Sequence, residues 1–150
     1  MKTVCLAGET DFEGWRDAAR QLRLEGIEPS RVRFCVGESQ HSLFDDGAVS
    51  GGATSSSLKV SKAFFGLAQD VILHRSSGRF ELLYRLLWRL QDEPDLMKVT
   101  SDRDVRQALD LAKTVSRASH KMKAFVRFRQ LGEGADEKWV AWFEPAHRVL

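Results

Sequence analysis

Cysteine is scarce in this sequence. Cys5 and Cys35 are the only two among 150 residues, and they form no CxxC, so a disulfide framework or a zinc or iron–sulfur site of the chain's own finds no support. Each sits inside an apolar run, which reads as a pair of buried, reduced thiols. Long hydrophobic runs are missing as well: nothing approaches the roughly 18 to 20 apolar residues that cross a bilayer. The opening Met1-Lys2-Thr3-Val4-Cys5-Leu6-Ala7-Gly8-Glu9 meets an acid too early for a signal peptide, so the expected setting is cytoplasmic, with no membrane. A strong net charge is also absent, since 23 Lys and Arg stand against 21 Asp and Glu for a net +2, too little to single out a nucleic-acid binder. What is present is 43% hydrophobic and 29% charged residues. That supports one packed core at a common domain size and excludes a wholly disordered polymer.

The local patterns predict an α/β chain. Lys2 to Leu6 is a short apolar strand, and Thr10-Asp11 caps a helix marked by Phe12, Trp15, Ala18, Ala19 and Leu22, which Gly26 ends. Val32 to Val36 is a second strand, so a β-α-β unit with a parallel pair and a right-handed crossover is expected. Residues 38–57, rich in Gly and Ser, read as a long flexible surface loop. Within it, Gly51-Gly52-Ala53-Thr54-Ser55 lacks the spacing of a phosphate-cradling loop. From Val60 a helix carries Phe64, Leu67, Ala68, Val71 and Ile72 on one face and ends near His74-Arg75. Ser76-Ser77-Gly78 turns into a helix with Phe80, Leu83, Leu87 and Leu90, to which Trp88 adds core and Arg85 and Arg89 add cations one turn apart.

Ser101 or Asp102 caps a third long helix, with Val105, Leu109, Ala112, Ser116 and Ser119 along one side and Arg106, Lys113, Arg117 and His120 along the other. Ala124 to Leu131 and Lys138 to Glu144 alternate around a Gly-rich turn as a C-terminal hairpin. The expected architecture is a single domain over 1–150. It is a small mixed sheet, β-α-β plus the C-terminal hairpin, partly covered by helices.

Charge is distributed unevenly. Residues 1–57 hold six basic and nine acidic groups, net −3, whereas 58–150 hold seventeen and twelve, net +5. Between 113 and 131 stand Lys113, Arg117, Lys121, Lys123, Arg127 and Arg129 with no Asp or Glu. Six cations across a helix end and a strand suit a phosphate backbone. The competing reading is a solvated face offset by the acidic first half or by Asp92, Glu93, Asp95, Asp102 and Asp104. Trp139 and Trp142 are candidate stacking surfaces for unpaired bases. Aromatic alternation in a hairpin more often packs on helices, and regular alternation places these two on opposite faces, one of them against the core.

Catalysis has weaker support. His120, Lys121, Glu144 and His147 combine imidazole, amine and carboxylate, but no pair has metal-motif spacing, and neither a metal nor a cofactor is implied.

The strings TDFEGWRDAARQL (10–22), FELLYRLLWRLQ (80–91), HKMKAFVRFR (120–129) and WVAWFEPAHRVL (139–150) resemble a bacterial domain of unknown function. That domain occurs N-terminal to UdgX-type uracil-DNA glycosylases and, as a separate protein, beside a radical-SAM protein assigned to DNA repair. The resemblance implies an N-terminal module of a longer protein in a DNA-repair context. The family continues past the EPxH segment into a further aromatic and basic stretch, whereas this sequence stops at Leu150. The glycosylase's iron–sulfur cysteines and uracil-reading motifs are absent, so uracil excision is not assigned to these residues.

The leading expectation is a noncatalytic accessory module that binds DNA or RNA-containing nucleic acid through Lys113, Arg117, Lys121, Lys123, Arg127 and Arg129, with Arg85 and Arg89 widening the surface. It would deliver a glycosylase or radical-SAM partner by recognising backbone and strand structure. The alternatives are an enzyme or enzyme subunit acting on a nucleobase through His120 and Glu144, and a protein-interaction module anchored by Trp139 or Trp142.

Overall fold

A computed structural model describes residues 1–37, 58 and 60–148; the loop expected at 38–57, with its Gly51 to Ser55 stretch, lies outside the described residues. The first strand, β1 (Lys2–Leu6), pairs in parallel with β2 (Val32–Val36) in the register Lys2 to Val32 through Leu6 to Val36. Between them runs α1 (Phe12–Leu24), capped by Asp11, whose side chain accepts the Gly14 N–H at 2.9 Å. A Cβ at Gly14 would crowd the Asp11 carboxylate, so a larger residue there would make the capping side chain shift. Gly26, at φ 69°, closes α1: its N–H donates to the Arg23 carbonyl and the Ile27 N–H to that of Leu22, the double bond of a left-handed helix stop.

Two cysteines were expected buried and reduced; Cys5 and Cys35 are instead bonded to each other. Strand parity accounts for this. Only every second residue of each run can face the core, and those places belong to Leu6, Val32 and Phe34, with Val4 packed beside them. Cys5 and Cys35 fall on the outer face, directly opposite in register with Cα atoms 4.6 Å apart.

Helix α2 (Lys62–Ile72) is capped by the Ser61 hydroxyl, and α3 (Arg79–Leu90) follows after a short turn. With eight of twelve residues buried, α3 is the central element rather than a one-faced helix. Its polar groups are spent on the fold. The Trp15 indole donates to the Phe80 carbonyl, the Tyr84 hydroxyl to the Ile27 carbonyl, and the Glu81 carboxylate accepts the Phe34 N–H of the β2 edge. Burial pushes the Tyr84 phenol up to about 12. Arg79, 3% exposed, gives its guanidinium to the carbonyls of Ile72, Ser76 and Glu9 at 2.7–2.8 Å, tying the α2–α3 turn to the loop after β1. Trp88 packs on the core edge under the Arg23 guanidinium, as its helical position predicts.

Helix α4 (Arg103–Phe125) starts at the Asp102 cap and buries Val105, Ala108 and Val115. The inward stripe is thus turned toward Ala108, Leu111 and Val115, and Leu109 and Ser116 are exposed. The helix also runs further than its sequence suggests. Ala124 and Phe125, read as the start of a strand, are its last residues, and extended Val126 terminates it with its N–H on the Met122 carbonyl. Strand β3 (Phe128–Leu131) pairs antiparallel with β4 (Lys138–Ala141), Phe128 opposite Ala141 and Leu131 opposite Lys138. This hairpin forms a second two-stranded sheet and does not extend the first. The chain is therefore mixed α/β as expected, its strands among the described residues falling in a parallel pair and an antiparallel hairpin. No helix among the described residues is long and apolar enough to cross a membrane.

Candidate nucleic-acid interface

The hairpin stands clear of the core on both faces. Phe128, Gln130, Trp139 and Ala141 share one face by register, and Arg129, Leu131, Val140 and Lys138 the other. Trp139 is 61% and Trp142 85% exposed, so the expectation that one of the two packs on the helices is overturned. Alternation predicts a strand, but the helices pack on α3, which α1, α2 and α4 each contact.

After the hairpin the chain returns to the body. The Arg148 backbone donates to the Leu73 carbonyl, its guanidinium donates to the His74 carbonyl, and it forms an ion pair with Glu9. The His147 ring stacks on His74 with centroids 4.3 Å apart. Each imidazole accepts a backbone N–H at Nδ1, His74 from Ser76 and His147 from Arg75. Burial, then His147, Arg79 and Arg75, holds His74 below its ordinary 6.5. With the folded value lowered, this contact's contribution is intact above about 6.5 and is lost as pH falls through that value toward the folded one. We expect the denaturant midpoint to fall between pH 7.5 and 5.5, and His74→Asn to flatten that drop; an unchanged slope would contradict the role given to the imidazole pair.

Arg85 and Arg89 are not free cations. Arg85 bonds Asp104 at 3.1 Å, and Arg89 bonds Asp102, Asp104 and Glu93 at 2.8–3.4 Å. Hydrogen bonds from Arg89, then from the Val105 N–H, hold the Asp102 carboxyl down to about 2. Asp102→Ala removes both the helix cap and this clamp, with an expected loss of about 0.5–2 kcal/mol from the cap. The contribution is present above the ordinary carboxylate value and lost as pH falls toward about 2, so wild type and variant should converge in acid unfolding curves.

These pairings bear on the basic stretch. Of the acids that might have offset it, Glu93, Asp102 and Asp104 serve Arg85 and Arg89, and Asp95 serves Lys98. In the first half, Glu9, Glu13, Asp17 and Glu25 are likewise engaged, by Arg148, Arg16 and Lys2. Among the described residues no acid lies within ion-pair distance of Lys113, Arg117, Lys121, Lys123, Arg127 or Arg129. All six are exposed. Four lie on α4, Arg127 at its junction with the hairpin and Arg129 on β3.

Residues 77–150 match DUF4130, a domain of unknown function. No curated protein matches the chain, and no solved structure does. The DUF4130 stretch holds α3, α4, the hairpin and the returning tail, and so all six unpartnered cations; the β1-α1-β2 unit and α2 lie outside it.

Two clefts flank α4, one of them bordered also by the end of α2. One, about 330 Å³, lies between Thr114, Arg117, Ala118 and Lys121 and the tail from Phe143 to His147. The other, about 360 Å³, is lined by His120 and Lys123 with Asp70 and Leu73 of the α2 end. His120 and Glu144, paired as proton-transfer candidates, therefore line different clefts. Among the described residues no three His, Cys, Asp or Glu side chains gather as metal ligands. Sequence reasoning missed His74 and Arg79, whose roles depend on residues far along the chain; only their place after a helix end hinted at them.

Proposed function

We propose that this chain is a noncatalytic nucleic-acid-binding module that holds the phosphate backbone through Lys113, Arg117, Lys121, Lys123, Arg127 and Arg129 and meets unpaired bases with Trp139 and Trp142. The observation that carries the reading is the set of six exposed cations without acid partners, next to a hairpin exposed on both faces. Backbone contacts fix position without reading sequence, and aromatic rings accept any base, so strand structure is the property discriminated. Arg85 and Arg89, engaged by carboxylates, are left out of the surface.

The sequence resemblance adds a setting: an accessory role in DNA repair, delivering a fused UdgX-type glycosylase or a radical-SAM partner. A cytoplasmic location goes with that setting. Catalysis on a nucleobase is disfavoured because His120 and Glu144 do not share a cleft.

Fluorescence anisotropy with labelled single-stranded DNA, duplex DNA, RNA, DNA–RNA hybrid and branched DNA tests the reading. Binding at low salt, strongest where bases are unpaired, is expected. No binding to any of the five would refute it, and retention of a purified glycosylase or radical-SAM partner in that case would favour a protein-interaction role for the exposed tryptophans.

A further inference from the structure

We infer that the cleft between α4 and the returning tail receives one unstacked nucleotide of the bound strand. This rests on the nucleic-acid reading and adds to it a specific seat. Arg117 and Lys121 stand one helical turn apart on the same wall, and Glu144 lines the facing wall, yet no ion pair joins the carboxylate to either cation. Opposite charges placed around one space without neutralising each other select against simple ligands. A bare anion meets Glu144, and a bare cation meets Arg117 and Lys121. A nucleotide carries both complements, phosphate oxygens for the cations and, on adenine, cytosine or guanine, an exocyclic amino group for the carboxylate.

The remaining lining suits the base itself. Phe143, half-buried, supplies an aromatic face beside Pro145, and Thr114 and Ala118 leave room on the helix side. At about 330 Å³ the cleft is at the small end of ligand sites, sized for one ring-bearing unit and too narrow for a base pair in a stack. Entry therefore requires a base already out of the helix, which costs least at a bulge, a strand end or a single strand. The cations that seat the phosphate belong to the same unpartnered stretch that tracks the backbone, so a strand lying along α4 passes the mouth of the cleft.

The test compares the intact chain's affinity for three DNA duplexes of one sequence: fully paired, with a single unpaired cytosine, and with an unpaired abasic residue at that place. The cytosine bulge should bind about tenfold more tightly than the other two, and both Phe143→Ala and the isosteric Glu144→Gln should shrink that preference to within about twofold. Equal binding of all three duplexes by wild type, or a bulge preference that the abasic residue reproduces in full, would overturn the inference while leaving backbone binding intact. Binding to none of them, and none to single-stranded DNA or RNA, would overturn the nucleic-acid reading as well.

Discussion

Reversing Lys121 and Arg127 together to Glu is expected to lower affinity for single-stranded DNA by about 100-fold or more near 100 mM salt, because each change deletes a counterion-releasing contact and adds a charge that repels phosphate. The two sites sample different elements: Lys121 is on the last turns of α4 and Arg127 at the junction with β3. Neither makes an ion pair among the described residues. Stability should therefore stay within roughly 0.5 kcal/mol of wild type, as for surface changes away from packed or bonded groups. A charge-matched control separates local contact from net charge. Arg16 and Arg20 lie on exposed turns of α1, Arg16 paired with Glu13 and Asp17, and their reversal changes the total charge equally but should alter affinity by no more than about threefold, since salt screens charges that make no direct contact. Equal losses in both double variants would mean that the α4–hairpin surface is not the contact, and retention of wild-type affinity by the first would remove its physical basis.

The second large effect separates buried from exposed tryptophan. Trp15 is 2% exposed, packs among α1, α2 and α3, and gives its indole N–H to the Phe80 carbonyl. Trp15→Ala should cost about 3 to 5 kcal/mol, the range for a large aromatic removed from a core. Trp142 makes no comparable contact and is 85% exposed, so Trp142→Ala and Trp139→Ala should each stay within about 1 kcal/mol in denaturant unfolding. Their effect belongs to binding instead, where base–aromatic stacking contributes about 1 to 3 kcal/mol per base. Destabilisation of the order of Trp15→Ala by either hairpin variant would place that ring in a packed interface. Unchanged single-strand affinity in both would leave the hairpin without a stacking role.

Much of the first half of the fold is legible in sequence because its signals are local. The strand from Lys2 to Leu6, the Asp11 cap, the Gly26 stop and the strand from Val32 to Val36 lie where caps, periodicity and glycine place them. The end of α4 is misread for a physical reason. Ala124 to Leu131 reads as an alternating strand, but Lys, Met and Ala over 121–124 are strong helix formers, and each added residue continues an existing hydrogen-bond ladder. The helix ends only where the Val126 backbone turns extended.

What sequence could not supply was tertiary. Alternation in 124–131 and 138–144 predicts the hairpin, whose strands are shorter, Phe128–Leu131 and Lys138–Ala141, but not whether anything covers it. Arg85 and Arg89 look like free cations until α4 brings Asp102 and Asp104 beside α3. That same packing engages Asp102 and Asp104, two of the acids that would otherwise stand open to the 113–129 stretch.

The salt dependence of single-strand binding by the intact wild-type chain addresses the central claim most directly. Six phosphate contacts predict that log K falls against log salt with a slope of about −4, from roughly −0.7 per contact on single strands. A slope near zero, with affinity held constant from low to high salt, would contradict the account.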